Sequence, residues 1–259
     1  MKLICLNTWG GKIYRPLINF IQNHSNKTDI FCFQEVFKTT SNVKIKYERR
    51  INLYEELSKI LTNHQGYFSS SIQNYVIFSR TNVYKTDFDL EFGLSIFIDK
   101  RIPVSSFGDF FVYGGKNTFN PDNLNTLPRN VQHLAFTKSG KKFIILNIHG
   151  IWHKEGKNDS SSRLEQSRKI NKFLDKQVGG KILCGDFNLN SDTESIRILE
   201  KNLRNLIKEY HIQTTRNKLY PGPEKFADYI FVSKDIKVTN FQVPDIEVAD
   251  HLPMILQFS

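Results

Sequence analysis

Short apolar runs joined to a polar residue recur along the chain. Residues 2–6 (KLICL) end at Asn7, and residues 30–33 (IFCF) end at Gln34-Glu35. Residues 143–148 (FIILNI) end at His149, and residues 182–184 (ILC) end at Gly185-Asp186-Phe187-Asn188. Two further runs carry the polar group in front: Asp228 precedes residues 229–232 (YIFV), and Asp250-His251 precede residues 252–258 (LPMILQF). Continuous runs this short, rich in Ile and Phe, predict strands buried on both faces. If the last two strands run antiparallel to the first four, ends of one set and starts of the other share one rim. Asn7, Glu35, His149, Asp186, Asn188, Asp228, Asp250 and His251 then converge. A single polar strand end needs no more than contact with water. Eight, all drawn from Asn, Asp, Glu and His, point to a site.

Helices fill the gaps. Ser162-Arg163-Leu164-Glu165 has the form of a capping box, followed by an apolar stripe at Leu164, Ile170, Phe173, Leu174 and Val178 and a stop at Gly179-Gly180. Arg50, Tyr54, Leu57 and Leu61 predict a second helix, and residues 14–21 (YRPLINFI) a third. Phe-rich, hairpin-like strands are expected over roughly residues 94–113. The alternation predicts an α/β fold of sheets covered by helices. There is no internal repeat and no linker-like segment, and the candidate site draws on both chain ends. One catalytic domain over residues 1–259 is therefore expected.

The composition changes this picture little. Hydrophobic residues make up 39% of the 259 and charged residues 24%, which excludes a disordered chain. Three cysteines are too few for a disulfide scaffold; Cys5, Cys32 and Cys184 sit in apolar runs and read as small buried hydrophobes in a reducing compartment. No run approaches a membrane span, and the N-terminal apolar run is too short for a signal peptide. A cytoplasmic monomer is the expectation.

Charge adds more. The net charge is +10. Lys38, Lys44, Lys46, Arg49 and Arg50 form one cluster. Lys138, Lys141 and Lys142 surround a turn at Ser139-Gly140, and Arg163, Arg168, Lys169, Lys172 and Lys176 decorate the predicted helix. Each alone is a solvated face. Together they are either a set of such faces or a field that draws in polyanions; the charge suggests a phosphate-bearing partner but does not choose one.

Glu35, Asp186 and Asp250, with Asn7, Asn188 and Asp228, make an oxygen-rich set suited to Mg²⁺ or Mn²⁺. There is no HExxH motif, Cys/His cluster, nucleotide-binding GxxxxGK[ST] loop or GxSxG elbow. A hard cation, two histidines and several carboxylates fit attack of water on a phosphate ester.

In chain order, LNTWGG, FQEV, LNIHG, GDFN, FADYIF and VADHLP resemble the endonuclease/exonuclease/phosphatase family, which includes pancreatic-type deoxyribonuclease, AP endonucleases, neutral sphingomyelinases, inositol polyphosphate 5-phosphatases and deadenylases. The resemblance implies a four-layer α/β sandwich, two packed and mostly antiparallel sheets flanked by helices, with the site at one edge. It implies Glu35 as the main Mg²⁺ ligand with Asn7 nearby. Asp186 would position and activate the water, and Asn188 contact the phosphate or the metal. His251 would bind the phosphoryl group or act as acid/base, with Asp250 supporting it or the metal. His149 would polarise the phosphate, and Asp228 orient a histidine not identifiable from the sequence. Trp9 stands where AP endonucleases typically carry an acid, and His149 where they usually carry Tyr, which favours the other branches. The Trp9-Gly10-Gly11 turn either shapes a pocket or only connects strand to helix. Arg129-Asn130 either clamps a phosphate or, with more weight, makes a turn. Trp152-His153 either stacks on a substrate or packs the loop. His24, His64, His133 and His211 lack motif context and read as structural or solvent-exposed. The charge favours a nucleic-acid phosphodiester as substrate; the alternative is a phosphomonoester or a lipid phosphodiester.

Overall fold

The computed structural model describes residues 1–77 and 82–259. Two six-stranded sheets face each other. In the first, the strands lie in the order Val238–Gln242, Met254–Phe258, Lys2–Asn7, Ile30–Lys38, Glu91–Asp99, His64–Gln73. In the second they run Arg204–Asn205, Asp228–Val232, Gly180–Asp186, Lys141–His149, Arg129–Lys138, Val104–Tyr113. Each sheet is antiparallel except for one central pair: Lys2–Asn7 beside Ile30–Lys38, and Lys141–His149 beside Gly180–Asp186. The chain ends meet in the first sheet, where Lys2 is in register with Gln257.

Side-chain alternation explains why the strand runs are apolar throughout. On the first sheet Leu3, Cys5, Ile30 and Cys32 face the core shared with the second sheet. Ile4, Leu6, Phe31 and Phe33 point the other way, beneath helices Tyr14–Ser25 and Leu53–Ile60. On the second sheet the cover is Ile170 and Leu174 of helix Ser161–Leu174, with Ile196 and Leu199 of helix Glu194–Glu200. Helix, sheet, sheet and helix make the four layers expected. Cys5, Cys32 and Cys184 are buried and unpaired, and burial pushes their thiols up. No helix among the described residues is long and apolar enough to cross a membrane.

Several local expectations shift. Glu91–Asp99 and Val104–Tyr113 are not a hairpin; they belong to different sheets, so the turn between them crosses the sandwich. Helix Ser161–Leu174 is capped by Ser160, whose hydroxyl accepts from the Arg163 N–H, two residues before the expected box. Val178 lies beyond its end and is 76% exposed. Arg50 precedes helix Leu53–Ile60 and pairs in a small ribbon, Ile45–Lys46 against Arg49–Arg50. The Ser139-Gly140 turn is present, both residues having positive φ, and joins Arg129–Lys138 to Lys141–His149.

Candidate active site

Strand register builds the site. His149 is in register with Asp186, and Asp186 with Asp228, so three polar side chains stand abreast on neighbouring strands of the second sheet. Asn7 and Glu35 come from the parallel pair of the first sheet. Glu35 sits at a bulge where the pairing of Ile30–Lys38 with Glu91–Asp99 slips between Phe33 and Val36. Its φ of 55° is left-handed, an arrangement that re-aims one side chain and that bulges often supply beside sites. Gly185, at φ 140°, is required by close approach: a Cβ there would lie 2.0 Å from the Ile148 carbonyl oxygen. Behind the rim, Gln34 donates to the Asn147 side-chain oxygen across the two sheets at 2.6 Å, which locks them next to the site.

All eight expected residues meet at this rim. Asn7 Nδ2 donates to Asp186 Oδ2 at 3.0 Å and to Glu35 Oε1 at 3.2 Å. Its own Oδ1 accepts the Trp9 N–H at 3.0 Å. Asn7 thus holds two carboxylates through its amide nitrogen. His149 Nε2 lies 3.8 Å from both Glu35 Oε1 and Asp186 Oδ2. The Asn188 N–H donates to Asp186 Oδ1 at 2.8 Å, and its side-chain amide donates to the Gly150 carbonyl. His251 Nδ1 is 2.8 Å from both oxygens of Asp228, which identifies the histidine that Asp228 orients. His251 Nε2 lies 3.6 Å from Asp186 Oδ2 and 3.8 Å from Asp250 Oδ1. Asp250 Oδ2 accepts from Arg216 at 3.0 Å.

Electrostatics divides the two histidines. Burial, with the Arg129 charge next, drives His149 well below the usual histidine range. Burial and Arg216 would lower His251 too, but Asp228, Asp250 and Asp186 hold it above that range. Asp186 stays ionised: burial would raise it, but His251, His149, Arg216 and Lys157 hold it far below the carboxylate range. Glu35 is raised, first by burial and then by Asp250. Two carboxylates that resist each other's charge, Asp250 buried and Glu35 half-buried, are relieved by a cation. Asp250 Oδ1, buried with no hydrogen-bond partner, is an oxygen left over for one. The donor set thus fits a hard divalent ion bound by Glu35 and Asp250. Asp186, Asp228 and His251 also bring ligand atoms within 4.8 Å of one another. Both Asp228 oxygens face the imidazole, however, so that trio is better suited to a proton relay.

The site opens into a cleft of about 370 Å³. Trp9, Phe92, Leu127, Trp152 and Tyr220 supply apolar wall, so the Trp9 turn and Trp152 shape the pocket.

A model of the Endonuclease/Exonuclease/phosphatase family matches residues 4–251. The chain belongs to the endonuclease/exonuclease/phosphatase family. It is accordingly a hydrolase of phosphoester bonds. Among solved structures it is similar to a mannosyl-6-phosphatase from Bacteroides thetaiotaomicron VPI-5482 (TM-score 0.73, 17% identity, 100% of this chain and 99% of that one). It is also similar to a D. rerio TDP2 humanized by 14 mutations (TM-score 0.69, 14% identity, 100% and 98%). A third is the human Nocturnin catalytic domain with bound sulfate anion (TM-score 0.66, 17% identity, 100% and 94%). At these identities the likeness is one of fold. A comparison with curated proteins found no match.

This endonuclease/exonuclease/phosphatase site also contains residues that sequence reasoning missed or underweighted. Arg129, given more weight as a turn residue, is the first residue of strand Arg129–Lys138; it is 4% exposed and lines the cleft. Arg49 was one of a basic cluster but is buried in the wall near Trp9. Lys157, Arg216 and Tyr220 had no sequence signal. Their backbone is carried by loops, and Arg216 reaches the site through a β-bridge to His251. Of the four unassigned histidines none lines the cleft, and His64 is buried with its Nε2 2.8 Å from the Thr28 carbonyl oxygen.

Proposed function

We propose that this family member hydrolyses its phosphoester at the rim cleft by attack of water, with Mg²⁺ or Mn²⁺ as the cation. The observation that carries this is the packing of Asn7, His149 and His251 around a single oxygen, Asp186 Oδ2, at 3.0, 3.8 and 3.6 Å. A cation held by Glu35 and Asp250 would neutralise charge on the phosphoryl oxygens. Asp186, kept ionised, accepts a hydrogen bond from the water and aims it at phosphorus. The charged His251, steadied by Asp228, donates its Nε2 proton toward a phosphoryl oxygen. His149, kept neutral, offers a second polar contact to the phosphate. A P–O bond forms to the water oxygen, whose proton passes by way of Asp186, while the ester P–O bond breaks. The leaving oxygen takes up a proton, so that the one lost by water balances the one gained by the leaving group.

A nucleic-acid substrate is supported by the +10 charge, which gathers polyanions. The walled cleft supports something smaller, one phosphate-bearing group inserted end-on. A panel of single- and double-stranded DNA, RNA, sphingomyelin, inositol phosphates and sugar phosphates, assayed in Mg²⁺ with and without EDTA, tests the proposal. Turnover of at least one ester that EDTA abolishes is expected. EDTA-resistant turnover, or none, would overturn it.

A further inference from the structure

Fixed charge around the cleft is nearly balanced. Arg49, Arg129, Lys157 and Arg216 are cations buried in its wall. Glu35, Asp186 and Asp250 line it as carboxylates, with Asp228 directly behind His251. Lys12, at the mouth, is paired with Glu48 at 3.1 Å. Four buried cations balance four carboxylates, and the charged His251 adds one positive charge. A divalent ion raises the excess to three. A phosphomonoester carries close to two negative charges at pH 7, because its second pKa is about 6. A phosphodiester carries one.

Among these cations Arg129, whose Nε is buried with no hydrogen-bond partner, and Lys157 are underfilled. Lys157 is 5% exposed, yet its Nζ makes one long hydrogen bond, 3.4 Å to the Phe226 carbonyl, and sits 4.8 Å from the centroid of the Tyr220 ring. Arg216 lies over the same ring at 4.2 Å but is already held by Asp250. Arg163 uses its guanidinium on the carbonyls of Ile151, Gly156 and Asn158, which fixes the loop that carries Lys157. A buried ammonium with unfilled donors on a cleft is costly unless an anion fills them. Burial, with Arg216 next, brings Lys157 down to about 8.

We propose that Lys157 is a specificity-determining residue that makes this cleft select a terminal, doubly charged phosphate over a phosphodiester. The inference rests on the hydrolase reading above. A monoester presents three non-bridging oxygens and a diester two. The extra oxygen, with its extra charge, is the one Lys157 is placed to receive. The apolar wall then accommodates the organic group of the ester.

Calorimetry with methyl phosphate and dimethyl phosphate, in Mg²⁺ at pH 7.5, separates charge from size. The unaltered protein should bind methyl phosphate ~10-fold or more tighter, and Lys157→Gln should weaken methyl phosphate by ~10- to 100-fold, the range for losing a hydrogen bond to a charged group. Dimethyl phosphate should change by less than about 3-fold. Equal affinity of the unaltered protein for the two ligands, or binding of neither, overturns the proposal even if a variant fails to fold. Equal weakening of both ligands in Lys157→Gln overturns it too. Binding needs no turnover, so failure of the hydrolase reading in the substrate panel is a separate result.

Discussion

His251 Nδ1 lies 2.8 Å from both oxygens of Asp228, while its Nε2 faces Asp186 Oδ2 at 3.6 Å. The imidazole is thus held by a carboxylate that orients it, while its outer nitrogen faces a second one. The carboxylates raise His251 above the usual histidine range. It stays charged to a higher pH than an unperturbed histidine, and activity that needs its proton fades as pH rises through the raised value. Its contribution to stability has the same sign: fully present below the unfolded-state pKa and lost on passing the folded one.

Asp228→Asn should move the alkaline limb of the pH–rate profile to lower pH and reduce kcat/KM by ~10². A profile that stays in place in this variant would show that Asp228 does not set the His251 proton.

Asn7 donates to Glu35 and Asp186 from opposite sheets, so removing its amide loosens both. Asn7→Ala should weaken Mg²⁺ binding by ~10- to 100-fold, the usual effect of losing a residue that orients a ligand. Calorimetric titration of the metal measures this. Unchanged affinity would leave Asn7 with no part in holding the cation.

Gly185 precedes Asp186 where no side chain fits against the Ile148 carbonyl. Gly185→Ala should cost on the order of 3 kcal/mol or more of stability, read by urea denaturation, because the clash is with backbone and cannot be relieved by a side-chain rotation. A loss under about 1 kcal/mol would mean that the two central strands can separate.

The strand cores and the rim were legible because they depend on local pattern. A doubly buried strand is apolar throughout, and a site built on strand ends leaves one polar residue after each run. An antiparallel direction of the last two strands was enough to bring Asp228 and Asp250-His251 to the same rim as Asn7 and Asp186, and the pairing of Asp228 with Asp186 came from the sheet register. The hairpin expected near residue 100 failed because pattern does not say which sheet a strand joins. Arg49, Lys157 and Arg216 were hidden for a related reason. A cation in a loop has the same local sequence whether it meets solvent or a cleft, and only tertiary packing buries Arg49 against the Gly10 turn, where a Cβ on Gly10 would lie 2.5 Å from Arg49 Cδ. The Asn7 type was readable but its orientation was not, since an amide offers an oxygen or a nitrogen according to its neighbours.

The most direct test of the account is hydrolysis by Asp186→Asn beside the unaltered protein, on whichever ester the panel finds, in Mg²⁺. The substitution keeps size and shape, so the fold should persist while the carboxylate that aims the water is lost. A fall in kcat of ~10² to 10⁴ is expected in protein still folded at the assay temperature. The melting temperature should be lowered, because one of the two acceptors that meet Asn7 and the Asn188 N–H becomes a donor. A folded Asp186→Asn protein that retains full kcat would contradict the account.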